Sequence, residues 1–147
     1  MASPSRATIE HLGIAVPSLA EGVALWRDLL GCEQLFAEEV ESEKVKVVGL
    51  SAGGTVIELL EPTAKDSAIA RHLEKRGPGI HHVAFEVKDL AALLPRLAAA
   101  GVKLIDAAPR PGSRGTKVAF IHPKGALGVL VELVEHPPGR TGGHSKS

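Results

Sequence analysis

Apolar and polar residues alternate along residues 8–16: Ile9, His11, Gly13 and Ala15 fall on one face, Glu10, Leu12, Ile14 and Val16 on the other. That two-residue period predicts a strand, with His11 facing away from the Leu12-Ile14-Val16 row. Ser18-Leu19-Ala20-Glu21 then reads as a capping box, because a serine oxygen can accept from the backbone while the glutamate reaches back. Leu19, Val23, Trp26 and Leu30 follow at helical spacing, with Trp26 as core, and Gly31 is placed to end the helix. Strand-like stretches at 33–40, 44–51 and 54–61 come next, the last two joined by the turn-prone Ala52-Gly53-Gly54. This first unit reads β-α-β-β-β.

A short helical connector near 66–76 and the break Gly77-Pro78-Gly79 lead into a second unit with the same order. A strand is predicted at 80–88, a helix opened by Asp89 and closed by Gly101, and strands near 102–107, 115–122 and 127–135. Pro95 removes one backbone donor inside that helix and predicts a kink or a shortening. The fold class is therefore α+β, two tandem β-α-β-β-β modules. We read one domain over residues 7–137, with module one at 7–63, the connector at 64–78 and module two at 79–137. A half of ~70 residues is marginal alone, so the modules share a core. Residues 1–6 and 138–147, the latter following Pro137 with Gly, Ser and Lys, read as flexible tails.

The duplication extends to chemistry. His11-Leu-Gly-Ile-Ala-Val recurs as His82-Val-Ala-Phe-Glu-Val, and Glu58-Leu-Leu-Glu-Pro as Glu132-Leu-Val-Glu-His-Pro. One histidine and one glutamate from each copy, His11, Glu58, His82 and Glu132, make a plausible set of ligands for a divalent metal shared between the halves. His81 neighbours His82 and by alternation points to the other face as a structural residue. Glu61 and Glu135 repeat three residues after Glu58 and Glu132, and alternation places them on the opposite face, solvated or salt-bridged.

Charge narrows the partners. Lys plus Arg and Asp plus Glu balance at 17 each, so no single-sign field favours nucleic acid or an anionic membrane. Cys32 is the one cysteine, which excludes an internal disulfide framework and fits a reducing compartment. The N-terminus lacks the apolar run of a secretory signal and no segment reaches the ~20 apolar residues of a membrane span, so the cytoplasm is the expected location.

The chain resembles the vicinal oxygen chelate family, part of the glyoxalase/bleomycin resistance superfamily, and within it the epimerases that act on methylmalonyl-CoA. The residues that carry this are His11-Leu-Gly-Ile-Ala-Val-Pro17, Glu58-Leu-Leu-Glu-Pro62, Asp66-Ser67-Ala68-Ile69, Gly79-Ile-His-His82, Phe120-Ile-His-Pro-Lys124 and Gly128-Val-Leu-Val-Glu132-Leu133. The histidine and glutamate positions are generic to the superfamily; the Asp66-Ser67 connector and the His-Pro-Lys loop are more particular to the epimerases. The resemblance implies a curled mixed sheet with a metal-containing cleft, and commonly a homodimer. It implies His11, His82 and Glu132 as metal ligands with Glu58 at a fourth position, and cobalt as the favoured ion with zinc, manganese and nickel compatible. The implied reaction interconverts (R)- and (S)-methylmalonyl-CoA at C2 by proton abstraction and return, the metal stabilising the enolate.

Some epimerases carry glutamine where Glu58 sits and a glutamate, proposed as one base, where Val47 sits; Val47 cannot move a proton. Glu132 is then the first candidate base, Glu58 its counterpart on the opposite face through the pseudo-twofold, and Glu43 a third. Arg110, Arg114, Lys117 and Lys124 cluster near two loops and are either contacts for coenzyme A phosphates or solvated surface charges. His122 is either a donor to the substrate carboxylate or a turn residue. Alternatives on the same fold are a glyoxalase I-like lyase, an extradiol dioxygenase, which needs two histidines and one carboxylate with open positions, and a small-molecule-binding resistance protein.

Overall fold

The computed structural model describes residues 7–139. Strand β1 (Thr8–Ala15) leads into α1 (Leu19–Val23), followed by β2 (Glu33–Val40), β3 (Val45–Ala52), β4 (Thr55–Pro62) and the connector helix α2 (Ala68–Arg76). The second module runs β5 (Gly79–Glu86), α3 (Leu90–Ala99), β6 (Arg110–Pro111), β7 (Lys117–Ile121) and β8 (Val131–Glu135). Of the expected tails, only residues 138 and 139 fall within the described residues.

The eight strands form one curled mixed sheet in the order β2-β3-β4-β1-β5-β8-β7-β6. This order is a palindrome about the antiparallel β1–β5 seam, and on each side the first strand pairs in parallel with the last strand of its own module. This is the vicinal oxygen chelate fold. The outer face packs under the helices: Ile14, Val16, Val48, Leu50, Ile57 and Leu59 meet Leu19, Val23 and Trp26 in module one, and Leu90, Leu94, Ala119 and Leu133 do so in module two. The inner face of module one carries Val40, Val45, Val47 and Leu60 with Ile69 of α2.

Each module anchors its helix in the same way. Ser18 Oγ accepts from the Glu21 amide at 3.2 Å, and Asp89 Oδ1 from the Ala92 amide at 3.2 Å. Glu61 Oε1 then takes the Leu19 amide at 2.7 Å, and Glu135 Oε1 the Leu90 amide at 2.8 Å. Both repeated glutamates thus leave the inner face as alternation predicts, but they satisfy orphan amides at helix N-termini.

Past α1 the helix widens over Ala24–Leu29, with the Leu30 amide reaching Leu25 O at 2.9 Å, before Gly31 ends it at φ 88°. Helix α3 runs continuously through Pro95, so the predicted break does not occur. The expected strand at 102–107 is not formed. Leu104 makes a single bridge to Ile121, and the strand that pairs with β7 is the two-residue β6. The cause is local: Asp106 Oδ2 takes the Phe120 amide at 2.8 Å, replacing a ladder bond with a side chain, and Pro109 and Pro111 have no amide hydrogen to offer. Strand β8 begins at Val131 instead of residue 127 because Leu127 and Gly128 turn at φ 58° and 99°.

Candidate metal centre and cleft

The sheet curls around a cavity of about 330 Å³ whose lining includes Glu10, His11, Glu58, His82, Arg114 and Glu132. His11 and His82 reach it from the two strands of the seam, and Glu58 and Glu132 from the adjacent parallel strands. Gly13 pairs with both Glu58 and His82 across its two edges. A side chain at Gly13 would run into the His82 ring, so this position must be bare for the imidazole to lie across the floor.

Three of the four residues expected as ligands converge. His11 Nε2 lies 3.0 Å from His82 Nε2 and 3.2 Å from Glu132 Oε1, and His82 Nε2 lies 3.0 Å from the same oxygen. Donors that share an ion at ~2.1 Å stand about 3.0 Å apart at right angles and about 3.4 Å in a tetrahedron, so this trio fits a divalent metal. Glu58 stands elsewhere. Its Oε2 is 3.4 Å from Nδ1, at the other end of the His11 ring, and it belongs to a second group with Glu10 and His11.

Both histidines are oriented by the residue that precedes them. Glu10 Oε1 lies 2.5 Å from His11 Nδ1, and His81 Nδ1 lies 2.9 Å from His82 Nδ1. Bonds at Nδ1 leave Nε2 as the donor toward the centre. Strict alternation puts Glu10 and His81 on the far face; the structure turns both inward. The register between β1 and β5 shifts once between Ile9 and His11 and once between Gly13 and Ile14, so that Glu10 and His81 are the extra residues of two bulges. His81 lines the cavity and stacks edge-on against His72 at 5.0 Å.

The electrostatics follow from this crowding. Burial pushes the Glu10 carboxyl up, but hydrogen bonds from His11 and His136, together with the Arg114 charge, carry it far below the carboxylate range. Glu132 is likewise lowered against its own burial by His82 and His11. Glu58 is raised by burial, with Glu10 and Glu132 adding to the effect, and Glu43 is raised by burial despite Arg110. Burial opposes a proton on His11, yet the carboxylates of Glu58, Glu10 and Glu132 raise it well above the histidine range. The same carboxylates favour a dication in place of that proton. His81 falls to about 3, through burial and then the neighbouring His82 and His72, and so stays neutral.

The sequence reading missed Glu10 and His136 as site residues. His136 Nε2 lies 2.8 Å from Glu10 Oε2; the one available signal was the adjacency of Glu10 to His11. Arg114 is turned into the cavity, its Nη2 3.2 Å from Glu10 and its guanidinium 4.3 Å over Phe36. Arg110 also lines the cavity, pairing with Glu43 and, at 2.9 Å, with Asp106. Lys117 and Lys124 are exposed outside it, and His122 Nδ1 accepts the Lys124 amide at 3.0 Å as a turn residue does.

Residues 10–120 match the model of the glyoxalase/bleomycin resistance protein/dioxygenase superfamily. The chain belongs to this superfamily. It is 43% identical over 127 residues to the uncharacterized protein YqjC of Bacillus subtilis, covering 86% of this chain and 91% of that one. To the ethylmalonyl-CoA/methylmalonyl-CoA epimerase of Cereibacter sphaeroides it is 39% identical over 127 residues, covering 85% and 95%. A solved methylmalonyl-CoA epimerase in complex with methylmalonyl-CoA and NH4+ superposes with a TM-score of 0.85 at 36% identity, over 93% of this chain and 99% of that one. Among the described residues, no helix is long and apolar enough to cross a membrane.

Proposed function

We propose that this protein epimerises methylmalonyl-CoA at C2, with a divalent metal held by His11, His82 and Glu132. The observation that carries this is the arrangement around one imidazole: three convergent donors at Nε2 and a separate buried carboxylate, Glu58, at Nδ1. Kinship with epimerases of that substrate supports it. A bound metal supplies polarisation of the thioester oxygen, which contributes several kcal/mol to making the C2 proton removable. Glu58, whose Oε2 has no hydrogen-bond partner, takes the proton from one face. Glu132 returns one to the other, and the two carboxylates exchange roles in the reverse direction. Burial that raises the Glu58 carboxyl brings it nearer the pH at which a base both holds and releases a proton. The apolar wall of Val40, Val45, Val47 and Leu60 keeps water from the carbanion. Lys117 and Lys124, exposed beside the cleft, are left for the coenzyme A phosphates, whereas Arg114 faces inward. We extend the proposal to cobalt as the ion, with zinc, manganese and nickel as alternatives, and to a cytoplasmic homodimer.

Deuterium incorporation at C2 of methylmalonyl-CoA in heavy water, with protein stripped of metal and then resupplied with cobalt, tests the reading. Metal-dependent exchange with loss of stereochemical purity is expected; no exchange with any divalent ion would sink it. One observation favours a second reading. With Glu58 outside the trio, two histidines and one carboxylate match the iron triad of ring-cleaving dioxygenases, and oxygen uptake with a catechol would select that alternative.

A further inference from the structure

Four carboxylates face the cleft besides the ion pairs of its rim, and three of them are fully engaged. Glu132 meets His11 and His82, Glu43 meets Arg110, and Glu10 meets His11, His136 and Arg114. Glu58 alone keeps a buried oxygen, Oε2, without a hydrogen-bond partner. The cation nearest to that oxygen from module two is Arg114, whose Nη2 lies 3.7 Å away. Arg114 Nε is itself buried and unpartnered, so a carboxylate and a guanidinium face each other in the cleft, each short of a bond.

The position of Arg114 is held from several sides. Its backbone is left-handed, at φ 54° and ψ 36°, a conformation that disfavours a non-glycine residue unless its surroundings enforce it. Its amide donates to Glu38 Oε2 at 3.1 Å, its guanidinium covers the Phe36 ring, and Nη2 reaches Glu10. All three partners belong to module one. The chain therefore spends backbone strain to place one cation between Glu10 and Glu58.

We propose that Arg114 is a positioning residue that holds Glu58 off the metal. It balances the Glu58 charge without giving it a proton, which keeps this carboxylate a free base instead of a fourth ligand. His11, His82 and Glu132 then remain the whole protein ligand set, and coordination positions stay open for the two oxygens of a malonyl-type thioester. Loss of the guanidinium releases Glu58 toward the dication: the site binds metal more tightly and turns over more slowly. This inference rests on the proposed metal-assisted epimerisation, and its test is read from the metal as well as from activity.

The experiment loads the full chain with Co2+ and compares wild type with Glu58→Gln, Glu132→Gln, Arg114→Met and Arg114→Lys. Co2+ affinity is measured by chelator competition and coordination by visible absorption. Glu58→Gln is expected to leave the Co2+ spectrum unchanged and the affinity within about threefold, while Glu132→Gln weakens it by more than ~100-fold. Arg114→Met is expected to change the spectrum, tighten Co2+ by about tenfold and lower kcat for C2 exchange by about 10–100-fold with KM little altered, and Arg114→Lys to restore most of both. Weakening by Glu58→Gln as large as that by Glu132→Gln would overturn the proposal, as would an unchanged spectrum in a folded Arg114→Met. If Arg114→Met fails to fold, the Glu58→Gln arm still decides. A wild type that binds Co2+ as described but exchanges no C2 proton removes the epimerase reading and leaves the Glu58 assignment standing.

Discussion

The two modules present the same device in different chemical dress. Each places a histidine on its first strand, precedes it with a bulged residue turned inward, and lets that residue meet Nδ1. In module one the preceding residue is Glu10, a buried anion also bound by His136 and Arg114; in module two it is His81, held neutral by burial and by its histidine neighbours. An ionised acceptor makes His11 the more basic donor, whereas His82 receives orientation with no added charge. The backbone repeat is therefore symmetric, and the electrostatics are not. This asymmetry concentrates negative charge on the module-one side, where Glu58 stands and where Arg114 is drawn in.

Substitutions can break this comparison at graded cost. Glu132→Ala removes the oxygen that both histidines share, and we expect loss of bound metal and of turnover by at least ~100-fold, read by metal analysis and deuterium exchange. Full turnover in that variant would take Glu132 out of the site. Gly13→Ala strikes both modules at the seam, because the new methyl meets the His82 ring. We expect it to lower stability by about 1–3 kcal/mol and to displace His82 enough to abolish stoichiometric metal binding; a protein that melts and binds as wild type does would disprove the packing argument. Glu10→Gln keeps the shape of the Nδ1 acceptor and removes its charge, so metal affinity should fall by about 10–100-fold. His81→Leu should cost less than Glu10→Gln, by about tenfold or below, because it removes a neutral acceptor only; an equal loss from both would show that the charge of Glu10 is immaterial. The smallest effect tests the symmetric part. Glu61→Ala and Glu135→Ala each uncap one helix and should cost about 0.5–2 kcal/mol by thermal melting, alike in both modules and without change in metal content.

Much of this was written in local pattern. The duplicated order of strands, the Ser18 and Asp89 caps, the Gly31 stop and the placement of Glu61 and Glu135 on the outer face all follow from periods and short-range hydrogen bonds, which neighbouring residues decide among themselves. The strand expected at 102–107 failed for the opposite reason. It depended on whether Asp106 would give its side chain to the Phe120 amide across the sheet, and composition alone does not reveal that exchange.

By itself the sequence determined that two β-α-β-β-β units would face each other with one histidine and one glutamate apiece, because side-chain period and capping are properties of a few contiguous residues. Only the tertiary structure decided which glutamates share the centre. The register of β1 against β5 is set by the packing of whole modules, and its two shifts turn Glu10 and His81 inward where alternation points them out. The long reach of Arg114 from module two to Phe36, Glu38 and Glu10 of module one is likewise a property of their docking. That docking leaves His11, His82 and Glu132 together and Glu58 apart, since a side chain placed by its strand still answers to the charges that folding brings beside it.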